Sequence, residues 1–280
     1  MPSRHAIISD IVPEGNLMHA ISLNNSVMNM TRILGPAAAG VFIIFIGTAG
    51  VFYLISGTYI VSVLSMAMIN AGGTPAARSQ GGVGGDIREG FAYARSSPTL
   101  LGLIIMAFIP VLFGFSYYAL LPAWAREALD VESDGLGVLM MIMGIGALVG
   151  TLILASMRHL KRQGAFLLGS CFAWGVALAI FSQSTSYAMA VPLLLFIGLV
   201  SSVFMSLNMT LLQMNTKPEM RGRIMSIGMM TFGVMPLAAV PFGALAESIG
   251  TPDALTLSGI LLAVFTLVFA FANPSFRKIP

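Results

Sequence analysis

Charge is the scarcest property of this 280-residue sequence: only 9% of its residues are Asp, Glu, Lys or Arg, against about 25% in a soluble domain. With 57% hydrophobic residues and a mean hydropathy of +0.90, most of the chain cannot face water. A single cysteine, Cys171, excludes an internal disulfide; set in an apolar run, it reads as a small packing residue. Catalytic signatures are missing as well. There is no HExxH, GxSxG or phosphate-binding loop, and the glycines at 81–85 are not followed by Lys-Ser/Thr. His5, His19 and His159 are scattered without metal-ligand spacing. Neither an enzyme nor a cofactor is expected. The opening residues, 1–13, are mixed and polar, unlike a cleavable signal peptide.

What is present is a succession of long apolar runs, at residues 17–46, 50–69, 100–124, 136–157, 164–182, 187–212, 224–249 and 254–272. About 20 apolar residues cross a bilayer as a helix, whereas barrel strands are half as long and alternate strictly. The expected fold is therefore an all-α polytopic membrane protein with eight transmembrane helices. The basic residues lie in the gaps on one side: Arg4, then Arg78, Arg88 and Arg95, then Arg158, Lys161 and Arg162, then Lys217, Arg221 and Arg223, and finally Arg277 and Lys278. These are twelve of the fourteen Lys and Arg; the opposite gaps hold Arg126 among acidic residues. The positive-inside rule puts both termini in the cytoplasm, and an even number of spans requires them to share a side. The pI of 9.2 thus reflects topology, and no nucleic-acid partner is expected; the lipid bilayer is.

One gap is long. Residues 71–99 begin with glycines (Gly72, Gly73, Gly81, Gly82, Gly84, Gly85) that read as flexible linker, and residues 86–95 read as a short surface helix. The chain divides accordingly into a two-helix segment (1–70), a cytoplasmic linker (71–99) and a six-helix segment (100–280), the size of one transporter half.

Several short motifs then appear in order: Asp10-Ile-Val-Pro13, Asn29-Met-Thr-Arg32-Ile-Leu-Gly35-Pro36 with Gly40, Arg88-Glu-Gly90, Leu121-Pro122, Gly144-Ile-Gly146 with Gly150, and Pro218-Glu219-Met-Arg221-Gly222-Arg223. This series resembles, along essentially the whole chain, the branch of the major facilitator superfamily that includes enterobactin exporters and macrolide-type efflux proteins. The resemblance implies a partial major facilitator fold, equivalent to helices 5–12 of twelve, in a bacterial inner membrane. It also implies proton-coupled export of small molecules such as siderophores or drugs. Four helices of the family pattern have no counterpart, so a missing N-terminal segment is expected as a partner. The alternative is a transport-inactive membrane fragment or scaffold protein.

The first run carries His19, Ser22, Asn25, Ser26, Asn29, Arg32, Pro36 and Gly40 at intervals of three or four, on one helix face. Such a stripe faces protein or a water-filled cavity. Asn25 and Asn29 read equally as cavity wall or as interhelical glue. Arg32, deep in the run, is the sharpest candidate for an anionic substrate or a gating partner, since an arginine at a helix centre costs about 2.5–3.5 kcal/mol on insertion scales. Gly35, Pro36 and Gly40 allow a kink and close helix approach, and by resemblance correspond to an exporter glycine-proline motif. Ser202, Ser206 and, on a neighbouring face, Asn208 are candidates for an opposite cavity wall, as is Tyr117; polar packing is the competing reading. Arg221, Gly222 and Arg223 form a cytoplasmic loop that either clamps helix ends or serves as a topological anchor.

Overall fold

The computed structural model describes residues 49–65, 82–130, 133–157, 161–217 and 220–279, with residues 31, 38, 42, 45–47, 67 and 68 besides. Each long apolar run among them is a helix. Helix α1 covers Ala49–Ser65 and α2 covers Gly82–Ser96. The first complete span, Pro98–Leu129, consists of α3 (Pro98–Ile109), one widened turn (Pro110–Gly114) and α4 (Ser116–Leu129). Then follow α5 (Ser133–Ser156), α6 (Gln163–Ser182), α7 (Tyr187–Met214), α8 (Arg221–Ile249) and α9 (Thr251–Ala272). A short 3-10 turn, Phe276–Lys278, ends the described chain. Helices are obligatory here, because bilayer hydrocarbon offers no partner for a free backbone N–H or C=O.

Among the described residues six helices are long and apolar enough to cross a membrane, matching the expected third to eighth spans. The expected second span corresponds to α1, of which 17 consecutive residues are described; the expected first falls almost wholly outside the described residues. The glycine-rich linker needs a correction. Gly82, Gly84 and Gly85, expected in flexible chain, form the first turn of α2. The helix is held by packing rather than by propensity: Gly90 is buried where any Cβ would meet Ile227 and Arg223 of α8.

Apolar side chains gain nothing from leaving lipid for one another, so close packing through small residues takes the place of the hydrophobic effect between membrane helices. Helices α5 and α7 touch backbone to backbone. A Cβ on Gly146 would lie 2.0 Å from the Leu195 carbonyl oxygen, one on Gly150 2.4 Å from that of Leu199, and one on Gly198 2.1 Å from that of Met143. Helices α6 and α9 cross the same way at Gly175 and Gly259. Around these crossings a continuous core forms, with Trp124, Trp174, Tyr117, Phe181 and Phe204 fully buried.

The first span is broken at Pro110. The missing N–H of proline and the clash of its ring disturb the helical ladder. The Phe115 N–H reaches back five residues to the Pro110 carbonyl (2.8 Å), which makes the turn wider than an α-turn. The loosened backbone is tied down from both sides. The Phe113 carbonyl accepts from the Ser116 hydroxyl (3.1 Å) and from Ser258 of α9, and those two hydroxyl oxygens lie 2.5 Å apart. Gly114 leaves room for the Trp174 ring and Leu262, which a Cβ would approach to 3.1 Å. Pro122, further along, stays inside a regular helix, as do Pro236 and Pro241 in α8.

Candidate substrate-facing surface

On α7, the Ser202 hydroxyl lies in the α5–α7 crossing, where a Cβ on Gly150 would come within 2.6 Å of its oxygen. Ser202 and Ser206 are half-buried, while Thr210 and Gln213 are exposed. The Ser202 hydroxyl donates to the Leu199 carbonyl of its own helix (2.9 Å) and Thr210 to that of Ser206 (2.8 Å). Their hydroxyls thus satisfy themselves locally, and their oxygen lone pairs remain to accept from a neighbour. Asn208 differs, being 3% exposed, with its buried Oδ1 lacking a partner among the described residues. It faces the inside of the helix bundle rather than an open surface.

Beyond the widened turn, α4 presents aromatic residues. Tyr117 is fully buried and its hydroxyl donates to the Met143 sulfur of α5 (3.0 Å). Tyr118 stacks on Tyr117 with ring centroids 4.5 Å apart and is only half-buried. On its other side it stacks on Phe115 (5.8 Å), which in turn meets Phe232 of α8 (6.1 Å) and Trp174 of α6 (5.1 Å). The exposed neighbours on this face of α4 are the small residues Ala119, Pro122 and Ala123. The half-exposed aromatic wall is therefore Phe115, Tyr118 and Phe232, with Tyr117 packed behind it. Among the described residues the buried Trp174 indole N–H has no partner. Sequence reading missed Phe115 and Phe232; the one available signal was Pro110, which sets the turn that aims Phe115.

At the arginine-rich end, Arg221, Gly222 and Arg223, expected in a loop, instead form the first turn of α8. Arg223 pairs with Glu89 of α2 (3.0 Å), and Arg221 Nε donates to the Thr216 carbonyl (3.4 Å). The Lys217 N–H donates to the Tyr93 hydroxyl of α2 (3.3 Å). Gly222 is exposed and a Cβ there would meet nothing, so packing does not require its glycine. The opposite end is stitched by polar contacts at the entry to α9. Glu127 accepts from the Thr251 N–H (3.1 Å), the Trp124 indole donates to the Ser182 carbonyl (2.8 Å), and Gln183 donates to Asp253 (3.1 Å) and Thr256 (2.7 Å). Among the described residues no three His, Cys, Asp or Glu side chains are grouped as a metal site. Asn25, Asn29, Arg32, Gly35, Pro36 and Gly40 lie outside the described residues.

Six packed spans, preceded by α2 and bearing a polar and aromatic surface, define an all-helical polytopic membrane protein. The chain belongs to the transmembrane secretion effector family of the major facilitator superfamily, whose profile matches residues 1–278; this is a family of transporters, not enzymes. It is 26% identical over 97% of its length to the staphyloferrin A transporter of Staphylococcus aureus, covering 68% of that protein. It is 25% identical over 89% of its length to the multidrug efflux pump Tap of Mycolicibacterium fortuitum, covering 62%, and 25% identical over 78% to the enterobactin exporter of Shigella flexneri, covering 51%. The chain thus spans half to two thirds of the length of these curated relatives. Its fold is similar to that of a bacterial homolog of the human lysosomal transporter Spinster, solved inward-facing and unoccupied, with a TM-score of 0.60 at 14% identity; the match covers 99% of this chain and 73% of that one.

Proposed function

We propose that this chain supplies one six-helix half, with two preceding helices, of a secondary active exporter of small molecules of the siderophore or drug type. The observation that carries this reading is the family match over residues 1–278, with relatives named for siderophore transport and drug efflux. The chain sits in a bacterial inner membrane with both ends in the cytoplasm, an orientation supported by twelve of its fourteen Lys and Arg falling on one side. Its substrate lies against the stripe of Ser202 and Ser206 and the wall of Phe115, Tyr118 and Phe232. Asn25, Asn29 and Arg32 form the facing wall, and protons drive the cycle. Helices from outside these 280 residues complete the N-terminal half, and substrate binds where the two halves meet.

The test is energy-dependent efflux from cells lacking their own pumps, with enterobactin and a macrolide as substrates. The chain is expressed alone, and again joined to the first four helices of a family member. Efflux is expected only from the completed protein. Efflux by the chain alone would refute the need for further helices. A completed, membrane-inserted protein that moves neither compound in either direction would refute the exporter reading and favour a scaffold.

A further inference from the structure

Helix α2 has two opposite faces. Gly90 and Ala94 are buried and Tyr93 is half-buried against the spans, whereas Arg88, Phe91, Ala92 and Arg95 are exposed, at the i, i+3, i+4, i+7 spacing that forms one stripe. Two arginines thus flank a phenylalanine that remains 40% exposed. Neither arginine is ion-paired with a carboxylate among the described residues, since Glu89, beside the stripe, is engaged by Arg223. The level of the helix is set by its neighbours. Only Ser97, which caps α3 by accepting from the Leu100 N–H, separates α2 from the first span. Gly90 abuts both Arg223 and Ile227. Ile227 lies six residues into α8, about 9 Å along it at 1.5 Å per residue. Helix α2 therefore packs beside the first two turns of α8 and not beneath their end, which in the orientation proposed above corresponds to the cytoplasmic headgroup level.

We propose that the outer face of α2, formed by Arg88, Phe91, Ala92 and Arg95, is a docking surface for anionic phospholipids of the cytoplasmic leaflet. The guanidinium groups take the headgroup phosphates, and the Phe91 ring and Ala92 methyl enter the boundary with the acyl chains, as in interfacial amphipathic helices. The opposite face passes the constraint on. Glu89 and Gly90 hold Arg223 and Ile227, and Tyr93 holds the backbone of Lys217, so leaflet charge biases the position of the α7–α8 loop. The inference rests on the cytoplasmic orientation proposed above but not on transport, so it stands or falls separately from the exporter reading.

The experiment uses the full chain with Ala92→Cys carrying an environment-sensitive fluorophore; Cys171 is fully buried and does not compete for the label. The protein is reconstituted in phosphatidylcholine vesicles with or without phosphatidylglycerol, and quenching by headgroup-depth spin-labelled lipid is compared with quenching by aqueous iodide. Lipid quenching should dominate in the anionic vesicles and give way to iodide in the neutral ones. The preference should fall on the order of fivefold for each of Arg88→Gln and Arg95→Gln, and lysine at both positions should retain it. Equal lipid quenching in both vesicle types would overturn the proposal, as would iodide access in both. Protection from both quenchers would assign the face to a protein partner instead. The comparison of two lipids with one labelled chain stands even where an arginine variant is poorly folded.

Discussion

The α5–α7 crossing makes the most exacting test of how these six spans are held together. Gly146→Ala adds one methyl group to a position where its carbon would sit 2.0 Å from the Leu195 carbonyl oxygen. Ordinary contact begins near 3.4 Å, so the helices must part by about 1.4 Å, and backbone on both sides leaves no flexible side chain to yield. Parting them also opens the adjoining contacts of Gly150 with Leu199 and of Gly198 with Met143. Overpacking of this kind costs about 1–3 kcal/mol, and each lost Cα–H···O contact about 0.5–1 kcal/mol. Alanine returns about 1 kcal/mol as the better helix former. The net expectation is a loss of about 2 kcal/mol. Gly169→Ala is the control: it lies in α6, where a Cβ would meet nothing within 4 Å, so only the favourable helix term remains. Thermal or SDS-induced unfolding of the two purified variants in the same detergent should place Gly146→Ala below the unsubstituted protein and Gly169→Ala at or above it. A Gly146→Ala protein as stable as its control would refute the backbone-to-backbone crossing.

Three further outcomes are expected. Ser258→Ala removes one of two hydroxyls on the Phe113 carbonyl, and because Ser116 remains the cost should be about 1 kcal/mol, read as a lowered unfolding midpoint; no change would mean that the widened turn does not depend on α9. Reporter fusions at Gly81 and Ile279 should both read cytoplasmic and one at Asp130 external, and an external reading at Gly81 would invert the proposed topology. In the completed transporter, Arg32→Ala should abolish efflux while leaving membrane insertion intact, and Arg32→Lys should restore little, because an ammonium lacks the planar fork of donors. Full efflux by Arg32→Ala, normalised to inserted protein, would remove Arg32 from the functional wall.

The amino-acid sequence alone determined where the chain can cross a membrane. Helix α6 was expected over 164–182 and runs Gln163–Ser182; the last span was expected over 254–272 and runs Thr251–Ala272. Hydrophobic transfer is a sum over single residues, so a run of apolar side chains declares itself without reference to partners. The family was legible for a related reason, because its short motifs are local in the chain. What a side chain faces is not local. Tyr117 and Tyr118 are chemically identical neighbours, yet one is sealed against Met143 and the other borders the exposed face, a choice made by the register of α4 against α5 and α8. The widened turn at Pro110 just before them is likewise bonded to Ser258, more than a hundred residues away. Likewise Ser202 and Asn208 both read as cavity candidates, but packing buries Asn208 and sets the Ser202 hydroxyl against Gly150 of α5. Even the start of α2, hidden in glycines that by propensity should stay flexible, was decided by what lay opposite Gly90: an isolated glycine-rich segment cannot hold a helix, whereas one docked on α8 can.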